Sequence, residues 1–207
     1  MKLDIAETIS NKLITTKNKN NEITELEKKK VRYGVYILYV NVTKIGSLLI
    51  VAYFLNIFSE VLTIWILFGI LRSSAFGIHS SKSIYCTIAT FVIFIGGALV
   101  STQFVLEDMI LNIIYFLSFI GLLMYAPADT KARPLVGKEF RKKLKIKTII
   151  SFMTILAIIL ALNIYHLKIL FSISAMAETI SVLPITYKIF RRRYNNYEYK
   201  VSSKSNK

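Results

Sequence analysis

The chain alternates between long apolar runs and short polar connections. Each run has, or nearly has, the roughly 20 residues that a helix needs to cross the hydrocarbon core of a bilayer. The runs occupy residues 34–58, 60–77, 84–105, 109–127, 147–166 and 168–190. We therefore predict an all-α polytopic membrane protein with about six transmembrane helices.

A shorter amphipathic pattern precedes the first run. Leu3, Ile5, Ala6, Ile9 and Leu13 recur at roughly helical spacing, with lysines and acidic residues between them. This pattern predicts an N-terminal amphipathic helix that lies at the interface of the inner membrane leaflet.

The composition agrees with a membrane domain. Hydrophobic residues make up 54% of the 207 residues, and the mean hydropathy of +0.52 is too high for an ordinary soluble domain. We predict a cytoplasmic N-terminal region, a six-helix membrane domain and a flexible basic tail. They occupy residues 1–30, 31–193 and 194–207 in that order.

The charges show which side of the membrane each connection faces. The net charge of +15 comes from basic residues that collect before the first run, between the fourth and fifth runs and after the sixth. Glu60, Glu107 and Asp108 instead lie in the connections after the first and third runs. By the positive-inside rule, both termini and the connection at residues 131–147 are cytoplasmic. The pattern indicates a multi-pass protein of the cell membrane in contact with lipids, and argues against a nucleic-acid partner.

The connection between the second and third runs is the best candidate for a catalytic region. It contains one of the two histidines, His79, and the single cysteine, Cys86, follows at the start of the third run. On one unbroken helix these two positions would lie about 10 Å apart along the axis, too far for a sulfur–imidazole hydrogen bond. A helix break is required, and Gly77 is suited to provide it. Because this connection is predicted to be cytoplasmic, the thiol would stay reduced and available as a nucleophile.

These residues also have purely structural interpretations. A lone membrane cysteine is commonly an inert small hydrophobe, and His79 alone is equally typical of an interfacial histidine. Arg72 alone suits a headgroup anchor, and Asp129 suits a loop acid that balances Lys131 and Arg133. The sequence contains no four-cysteine metal pattern and no nucleotide fingerprint, so we predict no metal and no cofactor.

Two motifs together carry a family resemblance. They are Arg72-x4-Gly77-x-His79-x6-Cys86 and Tyr125-Ala-Pro-Ala-Asp-Thr-Lys-x-Arg-Pro134. With the six-run layout, residues 25–193 resemble the accessory gene regulator B family of bacterial membrane cysteine endopeptidases. Family members often have a glycine at the position of Phe76.

The resemblance implies a function in quorum sensing. In this family the enzyme cuts the acidic C-terminal tail from a propeptide and holds the signal segment as an acyl-enzyme. A nucleophile within the substrate then releases it as a cyclic thiolactone or lactone. The resemblance implies that Cys86 is the nucleophile and His79 its general base, with Arg72 and Gly77 as supporting residues. It also implies a propeptide partner and a homodimer.

The second motif and the basic connection after it are candidate substrate contacts. Asp129, Lys131 and Arg133 are candidate supporting or substrate-binding residues, and Asp129 is also a candidate third catalytic residue that orients His79. The connection includes lysines at positions 142, 143 and 145. They either attract the acidic tail of the propeptide or serve only to orient the chain and contact anionic lipids.

Two charges inside apolar runs favour a second class of protein. Lys44 and Glu178 each cost about 2.5 to 3.5 kcal/mol at the centre of a spanning helix unless they are paired or hydrated. Their similar depth suggests an ion pair between them. Such charges also suit a small transporter that moves a peptide without cutting it. A thioester-linked fragment on Cys86 would distinguish the enzyme from the transporter.

Overall fold

The computed structural model of the chain describes residues 2–17, 24–78, 83–130 and 134–196. Within these ranges the regular elements are helices, which confirms the all-α fold class. They are α1 (Lys2–Lys17), α2 (Glu25–Phe54), α3 (Phe58–Ala75), α4 (Ser83–Phe91), a π-helical segment (Val92–Gly96), α5 (Gly97–Gln103), α6 (Asp108–Tyr125), α7 (Lys138–Leu162), α8 (Tyr165–Val182) and α9 (Pro184–Ile189). Most of the predicted flexible tail lies outside the described residues.

The chain divides into two compact units, Met1–Val51 and Ala52–Lys207. The first unit contains the predicted N-terminal helix as α1, followed by most of α2. A reciprocal capping box starts α2. The Thr24 amide donates to Glu27 Oε2 at 2.9 Å, and the Glu27 amide donates to Thr24 Oγ1 at 3.3 Å. This arrangement satisfies backbone donors that have no partner within the helix.

Helix α8 is at the centre of the second unit, where α3, α6 and α7 pack against it. Phe171 is fully buried, and its ring centroid lies 5.3 Å from that of Phe152 and 5.5 Å from that of Tyr115. Polar residues also join α8 to its neighbours. Ser174 Oγ donates to the Ile64 carbonyl, and Thr179 Oγ1 donates to the Ser118 carbonyl. Buried hydroxyls therefore add specific links to the apolar packing.

Polar contacts at the helix ends show that α3, α6 and α8 run in the same direction. At the start of these helices His166 Nε2 lies 3.4 Å from Glu60 Oε1, and Lys168 Nζ lies 3.3 Å from Asp108 Oδ1. At their other end Arg72 of α3 meets Glu178 of α8. In the predicted six-crossing scheme these helices are the second, fourth and sixth segments, which must run in the same direction.

Four described helices are long and apolar enough to cross a membrane, by length and composition. They are α2, α3, α6 and α7. The third predicted run contains a shorter apolar helix, Thr87–Gln103, with the π-helical segment inside it. The sixth run was wrongly predicted as continuous. Helix α8 ends at Val182 and α9 begins at Pro184, because proline lacks the amide proton that an uninterrupted helix requires. The number of crossings stays a prediction.

Large apolar side chains cover much of the outer surface of the second unit. On α6, the exposed fractions of Met109, Phe116 and Met124 are 67%, 63% and 62%. A soluble monomer rarely exposes an apolar surface of this extent, whereas the hydrocarbon of a bilayer covers it without cost. An exposed apolar surface of this extent is typical of a membrane protein.

Candidate functional site

The chain that leads into the His79–Cys86 segment is held by one arginine. Arg72, in the last turn of α3, donates from Nη2 to the Ile78 carbonyl at 2.5 Å. From Nη1 it donates to Ser181 Oγ at 2.5 Å and to Glu178 Oε2 at 3.3 Å. The planar guanidinium therefore joins the end of α3, the residue before His79 and the end of α8.

The backbone turns sharply at Phe76 and Gly77. Phe76 has φ 60° and ψ −118°, and Gly77 has φ 106°. Only glycine adopts such positive φ values without strain. A Cβ atom on Gly77 would also collide with Ser181 Oγ and Arg72 Nη1. Gly77 thus supplies the predicted helix break, and Phe76 adopts a conformation that suits the glycine often found there in the family resemblance.

Backbone hydrogen bonds hold this turn from two sides. The Gly77 amide donates to the Ala128 carbonyl at 2.9 Å, and the Ala128 amide donates to the Ala75 carbonyl at 3.0 Å. The Ile78 amide donates to the Ser181 carbonyl at 2.9 Å. We call these bonds, together with the Arg72 contacts to Ile78, Ser181 and Glu178, the entrance clamp. It fixes the path of the chain as far as residue 78.

Asp129 is an anchor for the second motif. Its exposed fraction is 2%. Oδ1 accepts hydrogen bonds from the Asn196 backbone amide at 2.8 Å and from Asn196 Nδ2 at 3.3 Å, and Oδ2 accepts one from the Leu135 amide at 3.3 Å. The Tyr187 hydroxyl donates to the Asp129 carbonyl at 2.9 Å. Two backbone amides and one side-chain amide thus hydrogen-bond this buried carboxylate, as a buried charge requires.

The structure places only some of the predicted site residues. It brings Arg72 and Gly77 together, and it places the residue before Asp129 against Gly77. Cys86 lies one turn into α4, and the structure describes its backbone there. His79, Lys131 and Arg133 lie outside the described residues. The pairing of His79 with Cys86 therefore stays a prediction.

Two residues of the entrance clamp were not predicted from the sequence. Glu178 was predicted to pair with Lys44, but the cation at its Oε2 is Arg72. Ser181 was not singled out. One signal could have found the pair: Glu178 is central in the predicted run of residues 168–190, but a helix that stops before Pro184 brings it near the cytoplasmic end in the predicted topology, and Arg72 lies near the same end of another run. Pro184 marks that end, because α8 stops just before it.

A basic pocket lies beside the second motif. It has a volume of about 480 Å³ and is lined by Met124, Tyr125, Ala126, Pro127, Arg141, Lys142, Lys145, Tyr194 and Asn195. The Tyr194 hydroxyl donates to the Tyr125 carbonyl at 3.2 Å. Ala126 and Pro127 of the pocket directly precede Ala128 of the clamp, so three cations line a cavity close to the entrance of the His79–Cys86 segment.

Comparisons with known proteins identify the family. The family model for Accessory gene regulator B matches residues 6–183. A putative AgrB-like protein of Clostridium acetobutylicum is 37% identical over 93% of this chain and 90% of its own length. A putative AgrB-like protein of Listeria innocua is 31% identical over 82% of this chain and 83% of its own length. The accessory gene regulator protein B of Staphylococcus aureus is 29% identical over 82% of this chain and 88% of its own length.

The comparison with solved structures found no match. The family match covers all of α3 to α8, and thus every residue of the entrance clamp. The chain therefore belongs to the accessory gene regulator B family and has a role in a quorum-sensing system.

Proposed function

We propose that the chain is an integral-membrane cysteine endopeptidase that matures a quorum-sensing propeptide. It cleaves off the acidic C-terminal tail and, through a thioester on Cys86, allows the signal segment to cyclise to a thiolactone or lactone. The observation that carries the proposal is the entrance clamp, because it fixes the backbone immediately before His79. The family membership and the two motifs support the choice of chemistry.

The proposed reaction transfers one acyl group in two steps. First, the Cys86 sulfur bonds to the carbonyl carbon that precedes the tail. The thiol proton passes through His79 to the nitrogen of the tail, and the peptide bond breaks. Second, a thiol or hydroxyl of the substrate attacks the thioester, its proton passes through His79 to the sulfur, and Cys86 leaves as a free thiol. The products are the tail and a cyclic thioester or ester, and no water is consumed.

The position of Cys86 in the chain suits a nucleophile. Helix α4 begins at Ser83, so Cys86 lies one turn from its start. The partial positive charge at a helix N-terminus favours the thiolate form of a cysteine, and a neighbouring imidazole provides a base. A thiolate is the form that attacks a carbonyl carbon.

Capture of the acyl-enzyme tests this proposal. The purified chain in lipid vesicles is incubated with a synthetic propeptide whose cyclising cysteine or serine is replaced by alanine. We expect release of the tail and a protein mass increased by that of the propeptide part before the tail, with the added mass on Cys86 and removed by hydroxylamine. A transporter would leave the propeptide intact and the mass of the protein unchanged, which would contradict the proposal.

We further propose that both termini and the Arg72–Cys86 connection face the cytoplasm of a bacterial cell. The common direction of α3, α6 and α8 supports this orientation, because the clamp lies at the end of α3 and α8 and Arg141 of α7 donates to the Pro127 carbonyl just after the end of α6. The positive-inside rule then assigns that side to the cytoplasm. Labelling of a cysteine at position 142 by an impermeant maleimide in intact cells measures the orientation, and reaction from outside would contradict it.

We also propose that the basic pocket binds the acidic tail of the propeptide. Changing Lys142 and Lys145 to glutamine should raise the KM for the propeptide about 3- to 10-fold, since each exposed charge contributes up to about 1 kcal/mol. Turnover at saturation should stay near that of the unchanged protein, because these charges act on binding. Steady-state kinetics at low and high salt measure both effects, and high salt should reduce the difference in KM.

Lys143 provides the matched control for this pair. It is exposed on the same turn of α7, but it is not among the residues that line the pocket. Lys143→Gln should leave the KM nearly unchanged. A propeptide whose tail carboxylates are amidated should show little difference between the double variant and the unchanged protein. An equal rise in KM for both substrates would contradict tail binding and point to a role in lipid contact.

A further inference from the structure

We propose that Glu178 and Ser181 are positioning residues of the peptidase, which act through Arg72 on the peptide group between Ile78 and His79. This inference rests on the proposed function, because it assigns the clamp a role in that reaction. Neither residue belongs to the two motifs, and both come from the end of α8.

The guanidinium of Arg72 makes three hydrogen bonds. Arg72 Nη2 holds the Ile78 carbonyl, while Nη1 is held by Glu178 Oε2 and Ser181 Oγ. The five donors of a guanidinium have a fixed planar arrangement, so anchoring Nη1 also sets the direction in which Nη2 points. The Ile78 carbonyl and the His79 amide nitrogen belong to the same planar peptide unit. The orientation of that unit therefore depends on residues about a hundred positions further along the chain.

The burial of Glu178 indicates that its role extends beyond stability. Its side chain is fully buried, and Oε1 has no hydrogen-bond partner among the described residues. A buried carboxylate with an unsatisfied oxygen is costly, and apolar residues of similar volume often replace a buried ion pair without loss of stability. Glu178 is thus costly and replaceable for folding, yet it contacts the guanidinium that holds Ile78. It is therefore well suited to a positioning role.

The remaining bonds of the clamp hold the two peptide units that precede the one between Ile78 and His79. The amides of Gly77 and Ile78 are bound to the carbonyls of Ala128 and Ser181. Arg72 adds the contact to the carbonyl of Ile78. A general base must lie within hydrogen-bond distance of the thiol, and a displacement of about 1 Å can lower a rate about a hundredfold. Loss of the Arg72 contact should therefore reduce turnover more than substrate binding.

Kinetics of single variants in the full-length protein test the inference. Glu178→Gln should lower kcat about 100-fold, and Ser181→Ala about 10-fold, with KM changed less than about threefold. Ser172→Ala is the matched control. Ser172 is a buried serine of the same helix, and its hydroxyl donates to the Ile169 carbonyl. It should keep kcat while losing a similar amount of stability. Equal kcat for Ser181→Ala, Ser172→Ala and the unchanged protein would overturn the inference.

A double variant separates positioning from folding. Removing only one member of a buried ion pair leaves an uncompensated charge, so Glu178→Gln can also lower the amount of folded protein. Arg72→Met combined with Glu178→Leu removes both charges. We expect it to recover membrane abundance and melting temperature, while kcat stays at least about 100-fold low. Recovery of kcat together with abundance would overturn the positioning role.

A distance measurement tests the clamp without catalysis. Spin labels on cysteines introduced at Ser80 and Lys143, in a Cys86→Ser background, report the position of the segment after the clamp. The distance distribution should be narrower in the protein with an intact clamp than in the Glu178→Gln variant. If this broadening occurs but the wild type releases no tail, the proposed function fails and the positioning stands. If the wild type cleaves and neither distance nor kcat changes in Glu178→Gln, the inference is overturned.

Discussion

Cys86→Ala should abolish release of the propeptide tail while leaving the protein inserted in the membrane. The loss should be at least about a thousandfold in kcat, because alanine lacks the sulfur that forms the proposed acyl-enzyme. The change is small and lies in the first turns of α4, so packing should be nearly unaffected. Tail release from membranes, followed by mass spectrometry and normalised to protein abundance, measures the effect.

Two further variants test this prediction, one at Cys86 and one at His79. Cys86→Ser keeps the size of the side chain but offers a much weaker nucleophile, so it should lose nearly as much activity. His79→Ala should lose nearly as much as Cys86→Ala, because the thiol then lacks its proposed base. Normal tail release by Cys86→Ala would contradict the peptidase function outright.

Gly77→Ala should produce the second largest loss. An alanine at a positive φ costs about 1 to 2 kcal/mol, and its Cβ would collide with Ser181 Oγ and Arg72 Nη1. Relief of the collision must move the chain or the guanidinium, and either movement breaks the clamp. We expect kcat to fall about 100-fold and the melting temperature to fall as well. Turnover per folded molecule, with thermal unfolding in detergent, measures both.

Two other glycines provide matched controls for this variant. A Cβ on Gly69, in the same helix as Arg72, meets open space among the described residues, so Gly69→Ala should be neutral or stabilising by up to about 1 kcal/mol. Gly97→Ala places its Cβ against Ile173, at a contact between α5 and α8. It should lower stability but keep turnover per folded molecule. If Gly97→Ala and Gly77→Ala reduce that turnover equally, the loss is not specific to the clamp.

The helices could be predicted from sequence because their signal is local. Apolar runs of spanning length overlap every described helix of the predicted membrane domain, and α2, α3, α6 and α7 meet the length and hydropathy required to cross a bilayer. The break in the sixth run was missed. Pro184 was visible in the sequence, but the apolar residues around it favoured one uninterrupted segment. Hydrophobicity alone does not report whether the backbone inside a run continues as one helix.

The clamp could be predicted only in part because its contacts are distant in sequence. Arg72 and Gly77 belong to one motif and were found together. Their partner Glu178 is separated from Arg72 by 106 residues and was assigned to Lys44 on depth alone. Depth along a helix restricts a residue to a layer of the membrane, but it does not specify which neighbouring helix faces it. Helix order and rotation decide that contact, and a single sequence does not contain them.

Asp129 lies in a loop, and its contacts could not be predicted from the sequence either. Its charge and its neighbours Lys131 and Arg133 suggested a loop acid or a third catalytic residue. Its described partners are the amides of Leu135 and Asn196, which come from the following connection and from the segment after α9. When a carboxylate binds backbone amides, its partners cannot be recognised by their residue type, because every residue except proline has an amide proton. Only the fold reveals such an anchor.

The distance between the parts of the clamp has a consequence for the synthesis of the protein. Ser181 follows Arg72 by 109 residues, so at translation rates of about 5 to 20 residues per second it is made roughly 5 to 20 s later. During this interval the growing chain already contains His79 and Cys86 but lacks the end of α8. The ribosome must therefore complete α8 before the clamp can close. Under the proposed function, the nascent chain would be unable to cleave the propeptide until nearly all of its membrane domain had been synthesised.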